Sequence, residues 1–315
     1  MKFGIRECSN IVFRAKQNVK IGNAEFKVGQ PVLYIDTATT SSMEQASTTV
    51  YAQGGRGNVR LLAWEGDKTL TFSFTDALLS PIGFHVLSGA GLFKSSNANE
   101  LVHFHVTSMA SISDNKIDLE EAIAAAGIDP NAAICSADAP LFVLGIEDDG
   151  SLTGEVLSGA TVDSTNKQQI NITHADANVM VDYYVDLPGL NVWEADITPD
   201  TFAGYYYVEA DTLFRQQATG KDMPANLTFP NAKVQSNFTI TMAGTGDPSS
   251  FDFTIDAFPG YTYFDKTKKV LCVLQIAEGG EGITKTYGKP VMLHDEVIQH
   301  EEPTDNDSDA SNDSE

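Results

Sequence analysis

The feature that most constrains this chain is a strict alternation of apolar and hydroxyl side chains. In Thr69-Leu70-Thr71-Phe72-Ser73-Phe74-Thr75, the leucine and both phenylalanines fall on one side of an extended backbone and the hydroxyls on the other. Successive side chains of a strand point to opposite faces, so this is a strand with one dry and one wet side. The pattern returns in Asn237–Met242 and Phe251–Asp256, and Gly244-Thr245-Gly246-Asp247-Pro248 between them carries turn chemistry. An antiparallel hairpin or meander is expected there. Leu61–Trp64, just ahead of Glu65-Gly66-Asp67, is expected to pair with the strand from Thr69. Tyr205–Ala210 reads as a further strand, and Val270–Ile276 as a more deeply buried one.

Two helices interrupt the strands. Thr75 or Asp76 is placed to cap a run from Ala77 to Leu87 with Gly89 and Gly91 as stops, Pro81 being tolerable only in the first turn or at a kink. Asp118 is placed to cap Leu119–Ala126, which Gly127 and Pro130 close. No regular alternation of strand and helix is present, which argues against a Rossmann or barrel enzyme and for a mainly β protein. Between about 97 and 200 the strand signals weaken and turns crowd in, as at Glu147-Asp148-Asp149-Gly150-Ser151 and Leu187-Pro188-Gly189. Residues 113–202 are therefore read as a small β-rich domain or elaboration inserted into a discontinuous core of 1–112 and 203–294. From Asp295 to Glu315 there are nine acidic residues and no Lys or Arg, and from Glu301 almost nothing apolar, so 295–315 is expected to be an acidic, disordered tail.

Composition narrows the function classes. With 43 Asp and Glu against 20 Lys and Arg, the net charge of −23 repels polyphosphate, so a nucleic-acid partner would be guided without being gripped. The 42% apolar content is that of a folded chain, yet no apolar run approaches the roughly 18–20 residues of a membrane-spanning helix. Charged Lys2, Arg6 and Glu7 stand where a signal peptide needs an uninterrupted apolar stretch, which places synthesis in a cytoplasm. Cys8, Cys135 and Cys272 are widely spaced, with no Cys-x-x-Cys pair, and are read as reduced thiols. The sequons at Asn171, Asn226 and Asn237 are discounted for want of a secretory route.

Candidate chemistry is sparse. His103 and His105 stand two apart on a strand and share a face, a spacing that can serve a metal, but no Cys or carboxylate cluster accompanies them in sequence and a polar strand face is the favoured reading. Gly54-Gly55-Arg56-Gly57-Asn58 invites comparison with a phosphate loop but lacks the G-x-G-x-x-G spacing, the Lys-Ser/Thr and a long helix behind it; a tight loop explains it, with Arg56 and Arg60 as charge anchors. Asp305-x-Asp307-x-Asp309 opens like a calcium loop, but Ala310 stands where the sharp turn needs Gly, so a solvated tail is favoured. Glu120 and Glu121 lie in a helical first turn, where the dipole favours carboxylates without any catalytic role. No nucleophile elbow, H-E-x-x-H or Cys-His signature is present. No enzyme, catalytic residue, metal or cofactor is assigned.

Two stretches resemble a known family. Tyr51-Ala-Gln-Gly-Gly-Arg-Gly-Asn58, followed by Leu61–Leu78 and the helix to Gly89, is similar to the N-terminal half of bacteriophage tail tube, or major tail, proteins. Phe229–Met242 and Gly246–Ile255 are similar to the closing strands of the same proteins, and together the two stretches are a minority of the chain. The resemblance implies an antiparallel β-sandwich or partial barrel with a flanking α-helix. It implies subunits that form hexameric rings, stacked into a hollow tube through which genomic DNA is ejected without specific binding. The protein would then be a virion structural component made in the host cytoplasm, with itself as chief partner, sheath, baseplate or tape-measure proteins as further ones, and no membrane. Independently, open sheet edges pair readily with other chains, and ring closure would satisfy them.

A rival reading is a carbohydrate-binding β-sandwich, an adhesin or a virion decoration protein, with Tyr205-Tyr206-Tyr207 or Trp193 as its aromatic platform. A hydrolase ranks third.

Overall fold

The computed structural model describes residues 2–277 apart from 6–8, 96, 98, 130, 137–138, 148, 176, 241 and 243–248. The acidic tail, the Asp305–Asp309 pattern and the turn at 244–248 lie outside the described residues. The fold is mainly β and antiparallel, with no closed barrel among the described residues.

The largest sheet runs, edge to edge, Pro31–Ile35, Asn10–Ala15, Tyr205–Gln216, Asp222–Val234, Phe251–Ala257, Val59–Asp76 and Ala38–Gly54. Its two central strands each take two partners end to end. Tyr205–Gln216 pairs with Asn10–Ala15 and Phe3–Ile5 along one side, and Asp222–Val234 with Phe251–Ala257 and Val273–Ile276 along the other. The dry face is set by the alternation read in the sequence: Phe72, Phe74, Phe253 and Ile255 are all buried. Phe74 and Phe253 are direct register partners, stacked 4.9 Å apart, and Phe229 packs 5.2 Å from Phe72.

A helix of Pro81–Ser88 flanks this core with Val86 and Leu87 buried in it. It starts later than expected, because Asp76 ends its strand buried, accepting the hydroxyl of Thr37 and the N–H of Leu78. Ser80 is the cap, accepting the Gly83 N–H at 2.9 Å, and Pro81 takes the first helical position, where its missing N–H costs nothing. Gly89 closes the helix at φ 73 and lies against the backbone of Phe202; a Cβ there would fall 2.2 Å from the Phe202 carbonyl carbon. Only glycine satisfies both demands.

A second apolar cluster runs from Val106 to Val185. At its centre Ala177–Pro188 pairs along its whole length with Leu101–Ile112, and on its other side with Phe142–Ile146 and Ala133–Ile134. A small sheet of Lys116–Asp118, Gln169–Asn171 and Thr161–Val162, and a helix of Glu120–Ala125 through Ile123, pack into the same cluster. This helix is shorter than the expected Leu119–Ala126 and its N-cap is Leu119, with no side-chain cap, rather than Asp118, whose carboxylate accepts the Glu120 N–H at 3.0 Å from one residue further out.

Four expectations are corrected. Leu61–Trp64 does not pair with the strand from Thr69; both belong to one 18-residue strand, Val59–Asp76, whose partner is Ala38–Gly54. Residues 235–240 keep an in-out alternation but form no ladder; the neighbour of Phe251–Ala257 is Val234 and the residues before it, while Phe238 packs edge-on to Phe84. Val273–Ile276 is shorter than expected and half-exposed, because it caps one side of Asp222–Val234 with no sheet beyond it among the described residues. Strands between 97 and 200 are not weak: two of twelve residues each are in register there, their outer face polar and so dim in a hydropathy reading.

Candidate assembly surface

The hairpin of Ala38–Gly54 and Val59–Asp76 is far longer than its neighbours. Phe251–Ala257 pairs only with residues 71–76 of it, so beyond Thr71 and Glu44 the two strands are bonded only to each other among the described residues. At 3.3–3.4 Å per residue this free ribbon reaches about 35 Å from the body. Its tip is the Gly54–Asn58 stretch: Gly55, Gly57 and Asn58 have φ of 77, 86 and 47, and the Asn58 N–H returns to the Gly55 carbonyl at 3.2 Å. The glycines there serve a turn, and no helix follows them.

The free ribbon exposes apolar side chains on both faces. Val50 opposes Trp64 and Ala52 opposes Leu62 on one; Tyr51 opposes Ala63 on the other, with the Arg60 guanidinium 4.0 Å over the Tyr51 ring. Val50, Leu61, Leu62 and Trp64 are 66%, 62%, 61% and 55% exposed. A two-stranded ribbon is marginal in water on its own, and contiguous exposed apolar surface of this kind marks a site of association. The outer rim of Ala38–Gly54 is also the sheet's edge, and Pro31–Ile35 is the opposite one, neither with a strand partner on its outer side among the described residues. Arg60 thus packs on the arm itself.

The other candidate residues separate. Tyr206 is buried edge-on to Phe13, its hydroxyl pushed up to about 12 by burial. Tyr207 points to the opposite face and lies 4.2 Å from Tyr263, while Tyr205 is half-exposed beside Phe258. Tyr205 and Tyr207 thus share a face, on which only Tyr205 is exposed, and Tyr206 lies on the other. Trp193 is half-exposed beneath Lys94, whose Nζ is 4.5 Å from the ring. Glu120 and Glu121 sit exposed in the helical first turn. Cys272 is partly buried, which pushes its thiol up to about 11.

His103 and His105 do share a face, each bonded to a carboxylate of the neighbouring strand: His103 Nδ1 to Asp186 at 2.8 Å, and His105 Nε2 to Asp182. Buried Cys135 joins the first pair, its sulfur among ligand atoms that all lie within 4.8 Å of one another. Sequence reasoning missed this group because it looked for partners along the chain. Asp186 arrives through strand register and Cys135 through the short strand Ala133–Ile134.

Fold and arm together define a class: an antiparallel β body with open sheet edges and a protruding, two-faced apolar ribbon. The YomU/Tube protein family model matches residues 20–87 and 98–270, and the chain belongs to that family. The match includes the whole arm, the Pro81–Leu87 part of the flanking helix and all of 113–202, so the middle of the chain, which lay outside the tail-tube resemblance, is part of the family pattern. No curated protein matches the chain. No helix among the described residues is long and apolar enough to cross a membrane.

Proposed function

We propose that this protein is a structural component of a phage virion whose copies associate into rings that stack as the tail tube, the conduit for DNA into the host. The observation that carries the reading is the arm: about 35 Å of two-stranded ribbon with apolar side chains on both faces has no reason to persist unless a neighbouring copy covers it. Six copies to a ring, and sheath, baseplate or tape-measure proteins as further partners, come from the resemblance. The net charge of −23 suits a bore that DNA must traverse, since carboxylates within a screening length of roughly 8 Å repel phosphate and leave it free to slide. Residues 113–202 are proposed as an elaboration on a core of 1–112 and 203–294, with Leu101–Ile112 paired to Ala177–Pro188 of the elaboration. We assign no catalytic role.

Negative-stain microscopy of the purified full chain, concentrated stepwise, tests this. Rings or hollow tubes are the expected outcome. A monodisperse monomer at every concentration up to the solubility limit overturns the reading, and binding of that monomer to a glycan array moves it to the carbohydrate class.

A further inference from the structure

Asp186 is approached from both sides of its strand. His103 is its register partner on Leu101–Ile112 and Ala133 its partner on Ala133–Ile134. One residue past that short strand, the Cys135 N–H donates to the Tyr184 carbonyl at 2.8 Å, which keeps Cys135 in step with the sheet. Cys135 therefore returns to the side shared by Ala133, Asp186 and His103. The imidazole, the carboxylate and the thiol converge there with ligand atoms no more than 4.8 Å apart, Cys135 buried and the His103 side chain half-exposed.

We propose that His103, Cys135 and Asp186 form a binding site for a divalent transition metal of the zinc class, with the fourth position open to water on the exposed His103 side. The donor set decides the metal. One thiolate and one imidazole suit zinc or cobalt, whereas magnesium and calcium demand oxygen ligands. Zinc bonds of about 2.0–2.3 Å around a tetrahedron place neighbouring donors about 3.3–3.7 Å apart. The present His103–Asp186 separation of 2.8 Å thus opens by about half an ångström, as a hydrogen bond is exchanged for two metal bonds. Binding converts the Cys135 thiol to a thiolate and releases its proton to solvent, so affinity rises with pH. The metal would pin the segment after Ala133–Ile134 to the two longest strands of the second cluster. His105 and Asp182, the adjacent pair with the same chemistry but no sulfur, supply the internal control.

The test is cobalt(II) titration of the reduced, chelator-treated full chain, followed by zinc competition. The expected result is one cobalt per chain with a thiolate-to-cobalt charge-transfer band that zinc abolishes. Cys135→Ser should remove the band, and His103→Ala, at an exposed position, should weaken binding more than about tenfold. Cys272→Ser and His105→Ala should keep it. Zinc should also raise the melting temperature of wild type but not of His103→Ala. A wild-type protein with no charge-transfer band, or a band that follows Cys272 or is indifferent to His103→Ala, overturns the site.

Discussion

Phe253 shows how much one side chain decides here. It is wholly buried, stacked on Phe74, and it joins the two halves of the dry face across the Phe251–Ala257 and Val59–Asp76 strands. Losing a buried phenylalanine costs about 3–5 kcal/mol and an unpaired carboxylate in its place adds more, against a total stability of about 5–15 kcal/mol. Phe253→Asp is therefore expected to abolish the cooperative melting transition seen by circular dichroism. Cys272 gives a pH-dependent readout. Burial holds its thiol up at about 11, so the folded state favours the protonated form. Its contribution to stability is present below the unfolded thiol's ordinary value and is lost as pH rises through about 11. Because the thiolate is the nucleophile, alkylation of folded protein at pH 8 should be much slower at Cys272 than after denaturation, read by mass spectrometry of the peptide. Equal rates would mean the thiol is not held in its folded environment.

Among elements, the arm is the one whose sequence looks least like what it forms. The 69–76 part was legible because one face is buried and the alternation follows from that burial. Ala38–Gly54 was not: with both faces in solvent, its Thr, Ser, Gln and apolar residues follow no period. Leu61–Trp64 read as a separate strand for the same reason, since the alternation breaks where the body ends. The polar face of the second sheet hid its long strands likewise, and the His103–Cys135–Asp186 convergence was invisible because register, not spacing, builds it. For the arm, Leu62→Ser and Trp64→Ser should leave the monomer's melting temperature nearly unchanged, since both side chains are already exposed. Each buried apolar side chain contributes about 1.5–3 kcal/mol, so each substitution should raise the concentration needed for assembly roughly tenfold or more, followed by light scattering. Unchanged assembly in the double variant would place the contact elsewhere.

For the whole molecule, the acidic end and the body are expected to be separable. Residues 303–315 contain acidic and small polar side chains with almost nothing apolar, so they have little to contribute to a packed contact. Removing them should leave assembly intact, with the same particles in micrographs at fixed ionic strength. Loss of those particles would assign the acidic end a role in joining subunits.

The close approach of Gly89 to Phe202 bears on how such a molecule tolerates change. The polypeptide departs the first sheet and comes back to it at points that touch. Whatever is threaded between them leaves the spacing of those two points untouched, and the entropy of closing such a detour grows only with the logarithm of its length. Material can therefore be lengthened, trimmed or exchanged at this junction while the strands on either side keep their places, provided that the glycine stays.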